Sequence, residues 1–262
     1  MSAPRALVVR SAGTNCDAET ARALELAGAR AEVLNVKRLL AEPRRLDELA
    51  ILVLAGGFSH GDDVAAGRVW GLDLRRGLER ELAAFVARGG LVLGICNGFQ
   101  ALVESGLLAP PGSGAGERAI ALYDNASNHY ECRWVTLEGA DCACPWIVAG
   151  ERLPVPVAHA EGRFVVREAG VLARLCANRQ IALRYVDPGG GPAVYPHNPN
   201  GSLDDVAGLC DPSGRVLGLM PHPERNVSPW QHPRWTRGQP RAAGEGLAFF
   251  QRLVACAEKA PV

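Results

Sequence analysis

Three residues of this chain carry side chains that together could cleave an amide: Cys96, His222 and Glu224. Cys96 stands inside Gly94-Ile-Cys-Asn-Gly98, after the apolar run that starts at Leu91 and before a helix-compatible run from Phe99 to Ser105. That order reads as strand, tight turn and helix, with the thiol at the tip of the turn. Gly94 and Gly98 have no Cβ, so strand and helix can close tightly around one strained residue. The serine version, G-x-S-x-G, holds a nucleophile clear of its sheet with backbone N–H groups beside it. With cysteine at the centre the chemistry is that of a thiolate, which a helix N-terminus favours. The plain alternative is a buried core cysteine at a strand end, since short motifs arise by chance.

His222 and Glu224 leave the end of another apolar run, Val216 to Met220, in Pro221-His-Pro-Glu-Arg225. Two apart on an extended, proline-stiffened backbone, they project to the same side. A cysteine nucleophile needs a base that takes its proton and hands it to the leaving amine. The base in turn needs an acceptor that fixes its tautomer. His222 and Glu224 have the right types for those roles, although a solvated turn would also explain them. Together with the Cys96 elbow they form a recognisable set of roles. A tetrahedral oxyanion also needs donors. The N–H of Asn97, just after the thiol, is one, and the Gly56-Gly57 loop at a neighbouring strand end supplies another.

These residues must be positioned by strands and helices. Apolar runs at Arg5 to Arg10, Ala31 to Val36, Ala50 to Ala55 and Leu91 onward alternate with helical spacing. The helical stretches are Ala18 to Ala27, capped by Asn15 or Asp17, a connection from Leu39 to Leu49 broken by Pro43, and Leu72 to Ala87. The predicted fold is α/β: a doubly wound, mostly parallel sheet with helices on both faces, flavodoxin-like in pattern. In such sheets ligands sit at the carboxyl ends of the strands, where both Cys96 and the Gly56 loop fall. Further strands are expected at Glu131 to Leu137, Pro154 to His159 and Ile181 to Val186. Val206 to Leu209 and Arg215 to Met220 should pair through the turn Asp211-Pro-Ser-Gly214. Pro110 to Gly116 and Pro188 to Pro199 read as loops, and Ala242 to Glu258 as the last helix. Nothing divides the chain, so one domain over residues 1–262 is expected, with a possible insertion at 228–241.

Composition limits the partners. The 262 residues include 28 Lys+Arg and 28 Asp+Glu, so no global basic field draws the chain to nucleic acid or anionic membrane. No apolar run is long enough to span a bilayer, and the N-terminus does not read as a signal peptide. The eight cysteines are scattered and read as reduced thiols of a cytoplasmic protein.

Cys96-Asn-Gly-Phe-Gln100, Gly56-Gly-Phe-Ser-His-Gly-Asp62 and Pro221-His-Pro-Glu-Arg225, in this order and spacing, resemble the class I (triad) glutamine amidotransferases. More narrowly the pattern is similar to the glutaminase subunits that serve phosphoribosylformylglycinamidine synthases. Gly13-Thr-Asn-Cys-Asp17, His159-Ala-Glu-Gly-Arg-Phe164 and Asn200-Gly-Ser-Leu-Asp-Asp-Val-Ala-Gly208 carry that narrower likeness, which spans about residues 5 to 256. The resemblance implies that Cys96 attacks the side-chain amide of L-glutamine, His222 moves the proton, and Glu224 orients His222. It also implies that Gly57 and Asn97 N–H groups hold the oxyanion and that Gln100 contacts the bound glutamine. Ammonia would pass to a formylglycinamidine ribonucleotide synthetase subunit, with a small accessory subunit as a further partner. ATP and Mg would sit on that synthetase. No cofactor or metal is implied in this chain, which has no Walker-type loop. Another triad amidotransferase, a cysteine peptidase of similar topology, and a non-catalytic subunit of the same fold are the competing readings. The segments 112–130, 139–151 and 228–241 match no pattern.

Other residues invite chemistry less strongly. His129, Cys132, Cys142 and Cys144 have zinc-ligand types but not the usual knuckle spacing. Cys16 reads as a structural or partner-facing thiol. His60 and His159 could line the glutamine or ammonia face. Trp230 and Trp235, with Arg234, Arg237 and Arg241, suit a subunit contact better than base stacking.

Overall fold

The apolar runs of the N-terminal half become parallel strands. The structure, a computed structural model, describes residues 3–114, 118–237 and 239–259. β1 (Arg5–Arg10), β2 (Arg30–Asn35), β3 (Ile51–Leu54) and β4 (Leu91–Ile95) lie in the order β2-β1-β3-β4, all parallel. Every residue of β3 and β4 is buried, as a sheet covered on both faces requires.

The connecting helices depart from expectation in detail. α1 (Asp17–Leu26) is preceded by Cys16, and neither Asn15 nor Asp17 caps it. Instead Thr20 Oγ1 donates back to the Cys16 carbonyl at 2.6 Å. β2 stops one residue before Val36, where the Asn35 side chain accepts from the Lys37 N–H and starts α2 (Val36–Ala41). Pro43 then begins a 3₁₀ turn to Glu48, so the connection is broken where proline demands it. The single helix expected from Leu72 is two, α3 (Arg68–Gly77) and α4 (Glu79–Ala87). Leu78, at φ −139°, breaks the helical path between them.

The second half extends the sheet with the opposite sense. β4 is flanked on its far side by β11 (Val216–Leu219), again parallel, with Gly94 opposite Gly218 and Ile95 opposite Leu219. Beyond it come β10 (Val206–Cys210), β9 (Ile181–Val186), β6 (Glu131–Gly139) and β7 (Arg152–His159), each antiparallel to its neighbour. The parallel sheet read from the sequence is therefore the half that carries the site, and an antiparallel wing completes it. The Asp211 to Gly214 stretch forms the expected hairpin turn: the Asp211 side chain accepts from Ser213 and Val216, and Gly214 takes φ 71°.

Three elements escaped the sequence reading. β5 (Ile120–Asp124) and β8 (Glu161–Val166) form a separate antiparallel ribbon, and α6 (Ala169–Ala177) follows it. β5 lies behind the Pro110 to Gly116 loop, whose Ala115 and Gly116 fall outside the described residues. The last helix, α7 (Glu245–Lys259), begins later than expected, because Gly244 packs against the Asn226 backbone. Trp230 and Trp235 of the 228–241 segment are exposed.

Candidate active site

β4 ends at Ile95 and α5 (Asn97–Ser105) begins at Asn97, so Cys96 alone makes the turn, at φ 51° and ψ −107°. A cysteine there costs roughly 1–3 kcal/mol of backbone strain, which the surroundings must hold in place. Both flanking glycines are required. A Cβ on Gly98 would lie 2.0 Å from the Leu54 carbonyl oxygen, and one on Gly94 would lie 2.7 Å from the Gly98 oxygen. The Cys96 N–H donates to the Leu219 carbonyl at 2.8 Å, tying the elbow to β11. Phe99 packs over Gly218 of the same strand, where a Cβ would meet its ring at 2.1 Å.

His222 and Glu224 come off the end of β11, so the parallel pairing of β4 with β11 brings them to Cys96. The His222 N–H donates to the Pro156 carbonyl of β7 at 2.9 Å. Glu224 lies in a short 3₁₀ turn from Pro223 to Asn226 rather than on extended backbone. The pair still meets: His222 Nδ1–H donates to Glu224 Oε1 at 2.6 Å, and each residue is only 1% exposed. Burial works against a charged ring, but the Glu224 carboxylate and Cys96 outweigh it and hold the His222 pKa well above its ordinary value. Nδ1 is taken by Glu224, which leaves Nε2 for Cys96. Nε2 has no other partner among the described residues.

The Gly56-Gly57 loop is held by the Gly13-Thr-Asn-Cys16 segment. Asn15 and Cys16 N–H groups donate to the Gly56 carbonyl at 3.3 and 3.1 Å, and Phe58 N–H donates to the Gly13 carbonyl at 2.9 Å. Gly57 adopts φ 149°, and a Cβ there would sit 2.6 Å from Thr14 Cα. These two motifs were legible as separate signatures, and the structure shows them as one interlocked unit.

Asn97 contributes more than its N–H. Its Oδ1 accepts from the Ser59 N–H at 3.0 Å, and its Nδ2 donates to Asp62 Oδ1 at 3.1 Å and to Gln100 Oε1 at 3.0 Å. Gln100 Nε2 donates to the Glu161 carbonyl at 2.8 Å. One buried amide therefore joins the elbow helix to the Gly56 loop and to Gln100.

A small cavity opens beside Cys96, lined by Gly57, Asp62, Gln100, His159 and Glu161 among others. Its volume is ≈ 30 Å³, room for a water molecule or two but not for an amino acid. Phe58 lines it and lies over Tyr130, ring centroids 6.5 Å apart, with both rings partly exposed. Asp62, which sequence reasoning assigned no role, has its carboxyl pushed up to about 6, chiefly by burial. His159, by contrast, fulfils the expectation that it lines this face. His60 does not: its Nε2 pairs with Ser11 Oγ at 3.0 Å.

Cys16 is buried, the structural one of the two expected alternatives. It is 1% exposed and its Sγ lies 3.9 Å from His222 Nδ1. Its thiol donates to Asn15 Oδ1 at 3.2 Å and accepts from Arg225 Nη2 at 3.0 Å. Burial raises the Cys16 pKa despite His222 nearby, which disfavours its thiolate. Cys16, His222 and Glu224 offer metal-type donors within 4.8 Å of one another. However, the Nδ1 proton is given to Glu224 and a guanidinium lies against Cys16, so the donors are already committed. His129, Cys132, Cys142 and Cys144 form no such group among the described residues.

Cys96 at the elbow after one parallel strand, and the bonded His222–Glu224 pair after the adjacent parallel strand, have the residue types and placement that a cysteine triad would need. The chain belongs to the CobB/CobQ-like glutamine amidotransferase domain family, whose pattern matches residues 3–256. It is 43% identical over 256 residues to the phosphoribosylformylglycinamidine synthase subunit PurQ of Dehalococcoides mccartyi, covering 97% of this chain and 98% of that one. It is 41% identical over 234 residues to the subunit of the same name from Methanococcus maripaludis, covering 88% and 86%. Among solved structures it resembles a chain of PurLQS from Thermotoga maritima with TM-score 0.71 and 32% identity, over 97% of this chain and 98% of that chain. No helix among the described residues is long and apolar enough to cross a membrane.

Proposed function

We propose that this chain is the glutaminase subunit of a phosphoribosylformylglycinamidine synthase, with Cys96, His222 and Glu224 as its catalytic triad. The observation that carries the triad is the strained Cys96 elbow set beside a buried His222 whose Nδ1 is fixed by Glu224 at 2.6 Å. Likeness to the PurQ subunits over nearly the full chain supports the particular reaction.

The chemistry follows from the geometry. Glu224 holds His222 with its proton on Nδ1, so Nε2 takes the Cys96 proton. The sulfur attacks the glutamine side-chain carbonyl, and the N–H groups of Gly57 and Asn97 hold the oxyanion. The tetrahedral intermediate collapses as His222 returns the proton to nitrogen. Ammonia leaves and a glutamyl thioester remains. Water, deprotonated by the same imidazole, then releases glutamate. Gln100, fixed by Asn97 and Glu161, offers its remaining amide capacity to the bound glutamine. Ammonia passes to the synthetase subunit, where ATP and Mg serve the conversion of formylglycinamide ribonucleotide to formylglycinamidine ribonucleotide. This chain works as one domain in the cytoplasm and brings no cofactor of its own.

Labelling with a diazoketone analogue of glutamine, with and without the synthetase subunit, tests this. The expected result is an adduct on Cys96 alone that forms faster with the partner. Adducts spread over the other cysteines, or none in the complex, would remove Cys96 as the nucleophile.

A further inference from the structure

His159 is buried in the wall of the cavity beside Cys96, with 3% of its surface exposed. Its tautomer is fixed by its neighbours. Asn125, fully buried, donates Nδ2 to the carbonyls of His129 and His159 at 2.9 and 2.8 Å. Those two bonds orient the amide, so the group 3.0 Å from His159 Nδ1 is the acceptor Oδ1. Nδ1 must therefore carry the proton, and Nε2 presents a lone pair. That Nε2 is buried and has no hydrogen-bond partner. Orphaned buried polar atoms of this kind are uncommon and ask for an explanation.

The position supplies one. His159 ends β7, the strand that also touches both halves of the triad: Pro156 accepts the His222 N–H, and the Ala158 carbonyl lies 3.9 Å from Cys96 Sγ. Neighbouring acceptors on this wall each already hold at least one bond. Glu161 accepts from the Ala66 N–H with its carboxylate and from Gln100 with its carbonyl, and Asp62 accepts from Asn97. His159 lines the cavity beside Cys96, where by the proposed reaction an amide nitrogen, rich in N–H and short of acceptors, is set free.

We propose that Nε2 of His159 is the hydrogen-bond acceptor for the nitrogen leaving the glutamine side chain and holds it as neutral ammonia on departure. This rests on Cys96 being the nucleophile. As the S–C bond forms and the C–N bond breaks, the thiol proton travels through His222 to the nitrogen, which leaves as NH₃. His159 neither gains nor loses a proton and takes one N–H of that product as a hydrogen bond. Burial, with His222 nearby, lowers the His159 pKa to about 3, so the ring has no Nε2 proton to give at neutral pH. Ammonia is therefore handed on with its own lone pair intact, the form that can attack an activated carbon.

The test uses the chain in complex with its synthetase subunit and compares L-glutamine with L-glutamate γ-methyl ester, whose leaving oxygen carries no N–H. His159→Phe keeps the ring volume and removes the acceptor. Its kcat/KM for glutamine should fall about three- to tenfold, while the ester rate and diazoketone labelling of Cys96 stay unchanged. An equal fall for both substrates would overturn the proposal, since a merely structural histidine would affect both. A second measurement needs no variant. The ¹⁵N spectrum of histidine-labelled chain should show His159 Nε2 unprotonated from pH 6 to 8, and a protonated Nε2 there would overturn it. Failure of the unsubstituted chain to label at Cys96 would remove the parent reading and this one together.

Discussion

Cys16 Sγ lies 3.9 Å from His222 Nδ1, on the same side of the ring as Glu224. A sulfur there packs the imidazole from behind without taking its proton, because Nδ1–H already belongs to Glu224. Cys16→Ser should therefore keep the triad intact. The expected loss is about two- to tenfold in kcat for glutamine, with KM unchanged and the diazoketone adduct still on Cys96. A loss as deep as that of Cys96→Ala would make Cys16 part of the chemistry.

Gly56 sets the tolerance on the other side. A Cβ there would lie 3.0 Å from His222 Cε1, 3.2 Å from Cys16 Sγ and 3.4 Å from Cys96 Cβ. Gly56→Ala should push His222 off line and lower kcat by on the order of a hundredfold, while the midpoint of thermal unfolding moves little. Gly98→Ala should behave differently, since its Cβ would strike the Leu54 backbone at 2.0 Å. That variant should fail to fold, as its soluble yield and circular dichroism would report.

Cys96→Ala separates the two half-reactions. Glutamine-dependent synthesis by the complex should vanish while synthesis from added ammonia continues. A surviving glutamine-dependent rate would sink the nucleophile.

Glu224→Gln keeps the shape and removes the charge. Triads of this kind lose about 10²- to 10⁴-fold in kcat when the orienting carboxylate is neutralised. The same variant has a pH signature. His222 has its folded pKa raised, so its stabilising effect is fully present below its unfolded pKa and is lost as pH rises through the folded value. The alkaline decline in the unfolding midpoint should flatten in Glu224→Gln. Parallel curves for the two proteins would show that Glu224 does not hold the imidazolium.

Asp62 runs the other way. Its carboxyl is raised from 3.8 to about 6 in the folded chain, chiefly by burial. The folded state then binds the proton more tightly than the unfolded, so stability falls as pH rises from 3.8 to 6. Asp62→Asn should remove that decline and gain on the order of 1 kcal/mol at pH 7, after allowance for the partial solvation of the group. Thermal melts from pH 3 to 7 would show whether the two curves diverge in that window.

The legible and illegible parts of this molecule divide by range of contact. The Cys96 elbow could be read because its requirements are local: two glycines, a buried strand and a helix within a few residues. His222 and Glu224 could be read because their roles, once a thiol is given, leave few residue types able to fill them. The His159 tautomer could not be read, since it depends on Asn125, thirty-four residues earlier, turning its amide one way. Nor could the wedge of Cys16 behind His222, which exists only because the Gly56 loop and α1 meet at the end of β11. The ribbon of β5 and β8 was missed for a related reason: its strands carry mixed polar and apolar residues and lie apart from the main sheet. Beyond the β10–β11 hairpin, the antiparallel wing was read strand by strand but not as a direction, because pairing sense is decided by connections and not by the strands' own residues.

The adjacency of β4 and β11 has a consequence in time. A ribosome emits Cys96, the proposed nucleophile, long before His222, the proposed base, because β11 belongs to the last part of the chain to be made. Until β11 docks, one edge of β4 lacks its hydrogen-bonding partner and Cys96 lacks a proton acceptor. By the proposed mechanism a half-made chain is therefore silent toward glutamine. Closing the sheet and completing the proposed site are therefore one event.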